Sequence, residues 1–223
     1  MGHRAGVVAA VGWLAASLAL TVAGADADAF ASTASGVAHG RVWTLLTSGL
    51  PVSQYPYAEL AGCAIAVAVA LALLGGVRFW IVALASHVGS ALVVYAGIGA
   101  VWLIAPHVVA DIAVEPDYGI SAVWLGVVGA IAVVLHRDGR RRAALILAGT
   151  AIAATLAAIA VSDELPFAEH LAALVIGALT ARVLLRQTAA SRSRDDRPTR
   201  NSGSWPSARM AARPVRAKAS GPS

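Results

Sequence analysis

The chain has 223 residues, of which 58% are hydrophobic and only 13% are charged, and its mean hydropathy is +0.73. A soluble domain carries about 25% charged residues, so this composition excludes an ordinary soluble protein and predicts a polytopic helical membrane protein. Cys63 is the only cysteine, which excludes an intrachain disulfide and a cysteine-based metal site.

Six apolar segments are long enough to cross the hydrocarbon core, which takes about 20 helical residues. They are continuous and rich in alanine and leucine, without the polar and apolar alternation of a membrane β-barrel. A helix also satisfies its own backbone hydrogen bonds, as hydrocarbon demands. The sequence therefore predicts an all-α bundle of six spans: Ala5–Gly24, Tyr57–Gly75, Phe79–Ala105, Tyr118–His136, Ala143–Val161 and Pro166–Leu185.

The first segment has an alternative interpretation as a cleaved signal peptide. The stretch "VAGADA" offers a small-x-small cleavage pattern after a short apolar run. We favour a retained span, because the run is near full spanning length and its removal would leave an odd number of spans.

The positive charges predict the orientation of the bundle. Basic residues lie before the first span, in the connection between the second and third spans, in the connection between the fourth and fifth spans, and after the sixth span. The other three connections are acidic or nearly free of basic residues, with Arg41 the single exception. Because positive charge is retained on the cytoplasmic side, both termini are predicted inside. The cytoplasmic set is Arg4, Arg78, "HRDGRRR" (His136–Arg142), Arg182 and Arg186.

The composition divides the chain into a membrane domain, residues 1–188, and a tail, residues 189–223. The tail is rich in Arg, Ser, Pro and Gly and has almost no apolar content, which predicts a disordered cytoplasmic segment. It is interpreted as a solubilising, positive-inside tail, with contact to anionic lipid headgroups as the alternative. No readout element for nucleic acid is visible, so no nucleic-acid partner is predicted.

Two polar residues are predicted to lie at the same depth on the non-cytoplasmic side. Ser121 is about one turn into the fourth span and His170 about one turn into the sixth, and both spans enter from outside. At about 1.5 Å per residue, each lies roughly 5 Å below the start of its helix. A serine becomes a useful nucleophile when a base takes its proton, and histidine is the usual base near neutral pH. The alternative is a serine that caps or packs a helix start.

Small residues at four-residue spacing predict that these two spans pack closely. The fourth span offers Ala122, Gly126 and Ala130, beginning one residue after the serine. The sixth span offers Ala173, Gly177 and Ala181, beginning three residues after the histidine. The hydroxyl and the imidazole are therefore expected to meet.

These stretches resemble the rhomboid intramembrane serine proteases, in particular divergent rhomboid-like proteins of high-G+C (actinobacterial) bacteria. The resemblance covers roughly Arg41 to Arg182. It rests on "GISA" (Gly119–Ala122) for the G-x-S-G nucleophile motif, "EHLAALVIG" (Glu169–Gly177) for the histidine helix, "GRVWTLLTSGL" (Gly40–Leu50) for the amphipathic first loop, and "LLGGVRFWIVALASHVGSAL" (Leu73–Leu92) for the turn between the second and third spans.

The resemblance implies a six-helix protein of the bacterial inner membrane that cleaves transmembrane substrates without a cofactor. Ser121 would be the nucleophile and His170 the general base. The family's histidine and asparagine on the second span, which bind the oxyanion, are replaced by Tyr55 and Glu59. Backbone N–H groups around Gly119 and Ile120 are expected to take part of that role. Ala122 and Ala173 also replace family glycines.

The remaining polar residues receive other interpretations. His87 is predicted to pack or to form a hydrogen bond near the cytoplasmic end, away from the serine and histidine. Glu59 is predicted to be solvated, with a role in orienting water or substrate as the alternative. Glu169 is given no triad role, because neighbouring helical residues point about 100° apart. A metal site is given little weight because its members match no ligand spacing: His39, His107, Asp111 and His170.

Two other functions compete with proteolysis. A rhomboid pseudoprotease would bind membrane-helix clients without cutting them, as the missing oxyanion side chains suggest. A small-solute transporter ranks third, since no broken helix or buried charge pair marks a midplane site.

Overall fold

The computed structural model describes residues 2–50, 56–159 and 166–195. Within these residues the backbone forms helices and connecting segments, apart from one isolated antiparallel bridge between Ser32 and Asp117. In chain order the α-helices are α1 His3–Val22, α2 Ala34–Ala38, α3 Thr44–Thr47, α4 Pro56–Leu74, α5 Gly76–Trp102, α6 Pro106–Val109, α7 Ile120–Arg137, α8 Arg141–Ile159 and α9 Pro166–Asp195.

The all-α prediction is confirmed, and five helices among the described residues are long and apolar enough to cross a membrane: His3–Val22, Pro56–Leu74, Gly76–Trp102, Ile120–Arg137 and Phe167–Thr188. The predicted fifth span corresponds to α8, which is described as far as Ile159.

The last helix differs from its predicted span. We predicted an end at Leu185, but α9 continues to Asp195 through the predicted domain boundary at residue 189. The added residues include Ala and Arg, which favour helix without being apolar enough for hydrocarbon. Hydropathy therefore marked the end of the apolar run and not the end of the helix. The rest of the predicted tail lies outside the described residues.

The turn between α4 and α5 is a close backbone contact with α1. Gly75 has φ +77°, a left-handed conformation that favours glycine. A Cβ on Gly6 of α1 would lie 2.6 Å from the Gly76 Cα, so the two backbones touch. The predicted glycine–basic turn is thus a tight junction of three helices.

Helix α7 lies at the centre of the bundle and is buried along most of its length. It packs most extensively against α9, and it also contacts α5, α8 and α4. With 18 residues it is much shorter than α5, which has 27. At about 1.5 Å per residue, α7 can run beside only part of α5.

The start of α7 consequently lies deep beside α5. Ser90 of α5 is hydrogen-bonded to Glu169, the neighbour of His170, and lies twelve residues before the end of α5 at Trp102. Those residues rise about 18 Å further along the helix. The level of Ser121 is therefore near the middle of α5, because α7 begins well below the end of its longer neighbour.

The segment that follows α1, as far as Leu50, folds back onto the bundle. Trp43 is 58% exposed and Leu46 is also exposed, whereas Thr44, Leu45 and Ser48 are buried. One face of Gly40–Leu50 is thus buried and the other exposed, but the faces do not separate polar from apolar side chains, so the amphipathic character of this segment stays a prediction. The indole of Trp13 on α1 donates to the carbonyl oxygen of Gly49 at 3.1 Å, which ties this segment to the bundle.

Candidate active site

Ser121 and His170 are in hydrogen-bonding contact. Ser121 is the second residue of α7 and His170 the fifth of α9. Ser121 Oγ lies 2.7 Å from His170 Nε2, and both side chains are half-buried. The prediction that the hydroxyl and the imidazole meet is confirmed, while their catalytic role stays a prediction.

The contact exists because α7 and α9 approach each other through glycines. A Cβ on Gly177 would lie 1.9 Å from the carbonyl oxygen of Gly126, and one on Gly129 would lie 2.2 Å from that of Leu174. Neither site has room for a methyl group. The predicted small faces are confirmed as the contact surface, and their other members are fully buried: Ala122, Ala130, Ala173 and Ala181.

The turn before Ser121 is held by the segment that follows α3. The N–H of Gly119 donates to the carbonyl oxygen of Ser48 at 2.9 Å, and the N–H of Val123 donates to the carbonyl oxygen of Gly119 at 3.1 Å. We predicted that the N–H of Gly119 would help to bind an oxyanion, but that group is already bonded. The N–H groups of Ile120 and Ser121 lie in the first turn of α7, where no carbonyl partner exists within a helix.

His87 lies beside the serine turn, contrary to the prediction. It is only 3% exposed, and its Nε2 is 3.4 Å from Ser48 Oγ. A Cβ on Gly119 would lie 1.9 Å from His87 Cε1, so glycine is required by the histidine ring. The prediction was wrong because it placed His87 only by its distance from the cytoplasmic end of α5. It did not allow for α7 to begin near the middle of α5.

The ring of His87 keeps one unused polar atom. Among the described residues, its Nδ1 is one of three buried side-chain atoms without a hydrogen-bond partner, with Ser86 Oγ and Trp124 Nε1. The sequence signal was available in "SHVGS" (Ser86–Ser90), a polar cluster within an otherwise apolar span. The sequence interpretation gives His87 only a packing or hydrogen-bonding role.

A second polar cluster, formed by Ser32, Ser90, Tyr95, Asp117 and Glu169, adjoins the dyad. The Tyr95 hydroxyl donates to Asp117 Oδ2 at 3.1 Å and lies 2.7 Å from Ser32 Oγ, which itself donates to Asp117 Oδ2 at 3.3 Å. Ser90 Oγ donates to Glu169 Oε1 at 3.2 Å. The carboxyl groups of Glu169 and Asp117 also reach each other.

Glu169 belongs to this polar cluster and not to the contact between Ser121 and His170. Glu169 is 4% exposed, and its carboxyl group accepts a hydrogen bond from Ser90 and lines a small cavity together with Asp117. Asp117 lies close enough to His170 and to His87 to interact with both electrostatically. Sequence reasoning missed Tyr95 and Asp117, since one comes from a span and the other from a connection, with no spacing to relate them.

The other predicted residues lie elsewhere. Glu59 is half-buried in the first turn of α4, so the prediction that it is solvated holds only in part. Tyr55 lies outside the described residues. His39 Nδ1 is 2.7 Å from the carbonyl oxygen of Ser35 in its own turn. Within the described ranges, no group of three or more His, Cys, Asp or Glu side chains could hold a metal ion.

Comparisons with protein-family models, with curated proteins and with solved structures found no match to this chain.

Proposed function

We propose that this protein is a rhomboid-like intramembrane serine endopeptidase of a bacterial cell membrane, with Ser121 and His170 as a catalytic dyad. The observation that supports the proposal most strongly is the 2.7 Å contact between Ser121 Oγ and His170 Nε2. A half-buried serine–histidine pair carried by two separate apolar helices has no evident packing purpose, since apolar residues fill the buried part of that interface. A nucleophile and a base within hydrogen-bond reach of each other are a structural signature of covalent catalysis.

The chemistry follows from the positions of the two groups. Ser121 Oγ attacks the carbonyl carbon of the scissile peptide bond while His170 Nε2 takes the hydroxyl proton. The imidazolium then gives this proton to the leaving amine as the peptide C–N bond breaks, and an acyl-enzyme remains. A water molecule, activated by the same imidazole, hydrolyses the ester and restores Ser121.

The oxyanion of the tetrahedral intermediate needs hydrogen-bond donors. The N–H groups of Ile120 and Ser121 are suitable because the first turn of α7 leaves them without helical partners and the helix dipole favours a negative charge there. Donors of this kind are worth about 10²–10³ in rate each. The carboxylate of Asp117 would stabilise the positive charge that His170 acquires during the attack.

The proposed setting is a bundle of six spans with both termini in the cytoplasm. Large apolar side chains are exposed on the outer faces of α1, α4, α5, α8 and α9, as hydrocarbon contact requires. The start of α1 contacts the α4–α5 turn, and the last turns of α9 contact both α5, through Arg78, and the end of α7. We assign this basic end of the bundle to the cytoplasm by the positive-inside rule. Ser121 and His170 then lie towards the outer face, and the partner is a transmembrane protein substrate.

A client-binding pseudoprotease is the second candidate. Glu59 stands in the first turn of α4, where the family carries an oxyanion-binding side chain, and an ionised carboxylate accepts hydrogen bonds but donates none. Such a protein would still bind transmembrane helices of client proteins but would not cleave them.

Labelling with a fluorophosphonate probe separates the two candidates. The full-length protein, purified in detergent, is expected to become labelled on Ser121, because the probe reacts with activated serines. Ser121→Ala and His170→Ala are both expected to abolish labelling and to stop cleavage of a transmembrane reporter in cells.

Ser17→Ala is the matched control for this experiment. Ser17 is a fully buried serine of α1 whose hydroxyl donates to the carbonyl oxygen of Trp13 in its own helix. This variant should label like the parent protein. An unlabelled parent protein would favour the pseudoprotease, and labelling that persists in Ser121→Ala would overturn the dyad.

A further inference from the structure

A groove opens between α7, α8 and α9 at the end of the bundle opposite to the dyad. Its volume is about 690 Å³, within the range of about 300–1,000 Å³ that small-molecule sites occupy. Its walls are mainly small or aliphatic: Gly129, Ala132, Val133, Ala144, Leu145, Ala148, Leu174, Val175, Ala178 and Leu185.

The groove exists because α8 and α9 barely touch. Each packs mainly on α7, and the contact between α8 and α9 is slight by comparison. Alanines on the facing sides leave the space between the two helices unfilled. Leu145 and Val175 are exposed to the surroundings of the bundle, so the groove opens sideways, towards what would be lipid.

Basic side chains stand at one end of the groove. His136 and Arg137 come from the last turn of α7, and Arg182 and Arg186 come from α9. All four are exposed. Arg137 Nη1 donates to the carbonyl oxygen of Leu185 at 3.3 Å, which holds this guanidinium over the groove. None of the described residues that line the groove is acidic.

We propose that this groove binds one anionic phospholipid. An acyl chain lies along the alanine-lined walls, and the headgroup phosphate is bound by Arg182 and Arg186, with Arg137 beside them. Arginine suits this role because its planar guanidinium binds phosphate through two parallel hydrogen bonds. Basic pockets between spans on the cytoplasmic side bind anionic headgroups on the same grounds. The site does not depend on the proposed proteolysis.

The apolar walls of the groove, together with its basic end, argue for a lipid over a soluble anion. A free phosphate would need only the basic end, and the apolar walls beyond it would remain exposed. A zwitterionic lipid would fill the walls equally well but would bring a positive choline or ethanolamine group among the arginines. An anionic phospholipid matches both parts of the groove, because its acyl chain contacts the apolar walls and its headgroup phosphate contacts the arginines.

Native mass spectrometry of the full-length protein tests the proposal. The protein is purified in detergent and supplied with phosphatidylglycerol or phosphatidylcholine of identical acyl chains. We expect one phosphatidylglycerol to be retained in clear preference to phosphatidylcholine. Arg182→Gln/Arg186→Gln should weaken that retention about ten- to thirty-fold, as loss of two basic residues near a headgroup implies.

The control variant is Arg141→Gln/Arg142→Gln, which removes the same charge from exposed positions at the start of α8 that do not line the groove. It should retain phosphatidylglycerol like the parent. Equal weakening in both variants would mean that general positive charge attracts the lipid, and it would overturn the site. Equal retention of both lipids by the parent would overturn it as well.

A second pair of variants tests the acyl-chain part. Ala148→Trp fills the groove from α8 without a change in charge, whereas Thr150→Trp adds the same bulk at an exposed position of α8 that does not line the groove. Retained phosphatidylglycerol should fall several-fold in the first variant only. If Ala148→Trp retained as much phosphatidylglycerol as the parent protein, the groove would not be the binding site of the lipid.

Discussion

At the scale of single residues, the environment of Ser121 depends on what its neighbours exclude. Gly119 can be no larger, because the ring of His87 occupies the place of a side chain. The N–H of Gly119 is held by Ser48, so the turn is tied to the segment after α3. Ser121, the proposed nucleophile, is thus positioned by a glycine and a buried histidine that never touch its hydroxyl in the described contacts.

Substitution of Gly119 tests this arrangement. Gly119→Ala would bring the new Cβ to 1.9 Å from His87 Cε1, and a ring that is 3% exposed has little room to move. We expect a loss of about 1–3 kcal/mol in stability, as for overpacking in other cores, and a marked loss of probe labelling. Thermal unfolding in detergent and the labelling rate measure the two effects.

His87→Ala in the Gly119→Ala background supplies the control, since removal of the ring should relieve the clash. The double variant is therefore expected to be more stable than the sum of the two single changes predicts. Strict additivity of the two losses would show that the ring and the glycine do not constrain each other.

At the scale of helices, the dyad depends on how closely α7 and α9 approach. Hydrocarbon offers no hydrophobic drive between spans, so close packing of small residues carries much of their association. Gly126, Gly129 and Gly177 bring the two backbones together along one face. Because Ser121 and His170 lie just beyond this contact, its spacing sets the distance between the hydroxyl and the imidazole.

Gly177→Ala is expected to push the helices apart. The new methyl group would lie 1.9 Å from the carbonyl oxygen of Gly126, and backbone cannot turn away as a side chain can. We expect lower thermal stability and a fall in labelling of at least tenfold, since small displacements of a catalytic group are costly.

The matched change is Gly97→Ala in α5, where an added Cβ meets nothing within 4 Å. It should leave labelling unchanged and, by helix propensity, stability equal or slightly higher. Similar behaviour of the two variants would mean that the α7–α9 contact is looser than the backbone distances indicate.

At the scale of the whole molecule, the two ends of the bundle differ in chemistry. One end carries most of the basic residues and the proposed lipid groove, and the other carries Arg41 and the segments that fold back over the dyad. Asp111 and Asp138 are exposed and lie in connections at opposite ends, before and after α7. They therefore provide a direct test of orientation.

We expect Asp111→Cys to react with a membrane-impermeant maleimide in spheroplasts of a bacterial host. Asp138→Cys should react only after the membrane is permeabilised, because positive charge keeps that connection inside. Cys63 can stay in place, since it is fully buried and a buried thiol is inert. The reverse labelling pattern would contradict both the orientation and the placement of the dyad on the outer side.

The sequence by itself determined the long apolar helices, apart from the end of α9, and the meeting of Ser121 with His170. Hydrophobic runs report spanning length directly, and two helices that enter from the same side place residues one turn in at a common level. The small faces of α7 and α9 were visible for the same reason, since a four-residue period describes a helix face without knowledge of its partner.

Only the tertiary structure decided what surrounds the dyad. His87, Tyr95 and Asp117 join the site because α7 starts near the middle of α5 and because the segments that follow α1 and precede α7 fold inwards, as the Ser32–Asp117 bridge shows. Neither the relative height of two helices nor the path of a connection is encoded in periodicity. Both arise from contacts between residues far apart in the chain, such as those of Gly119 with Ser48 and His87.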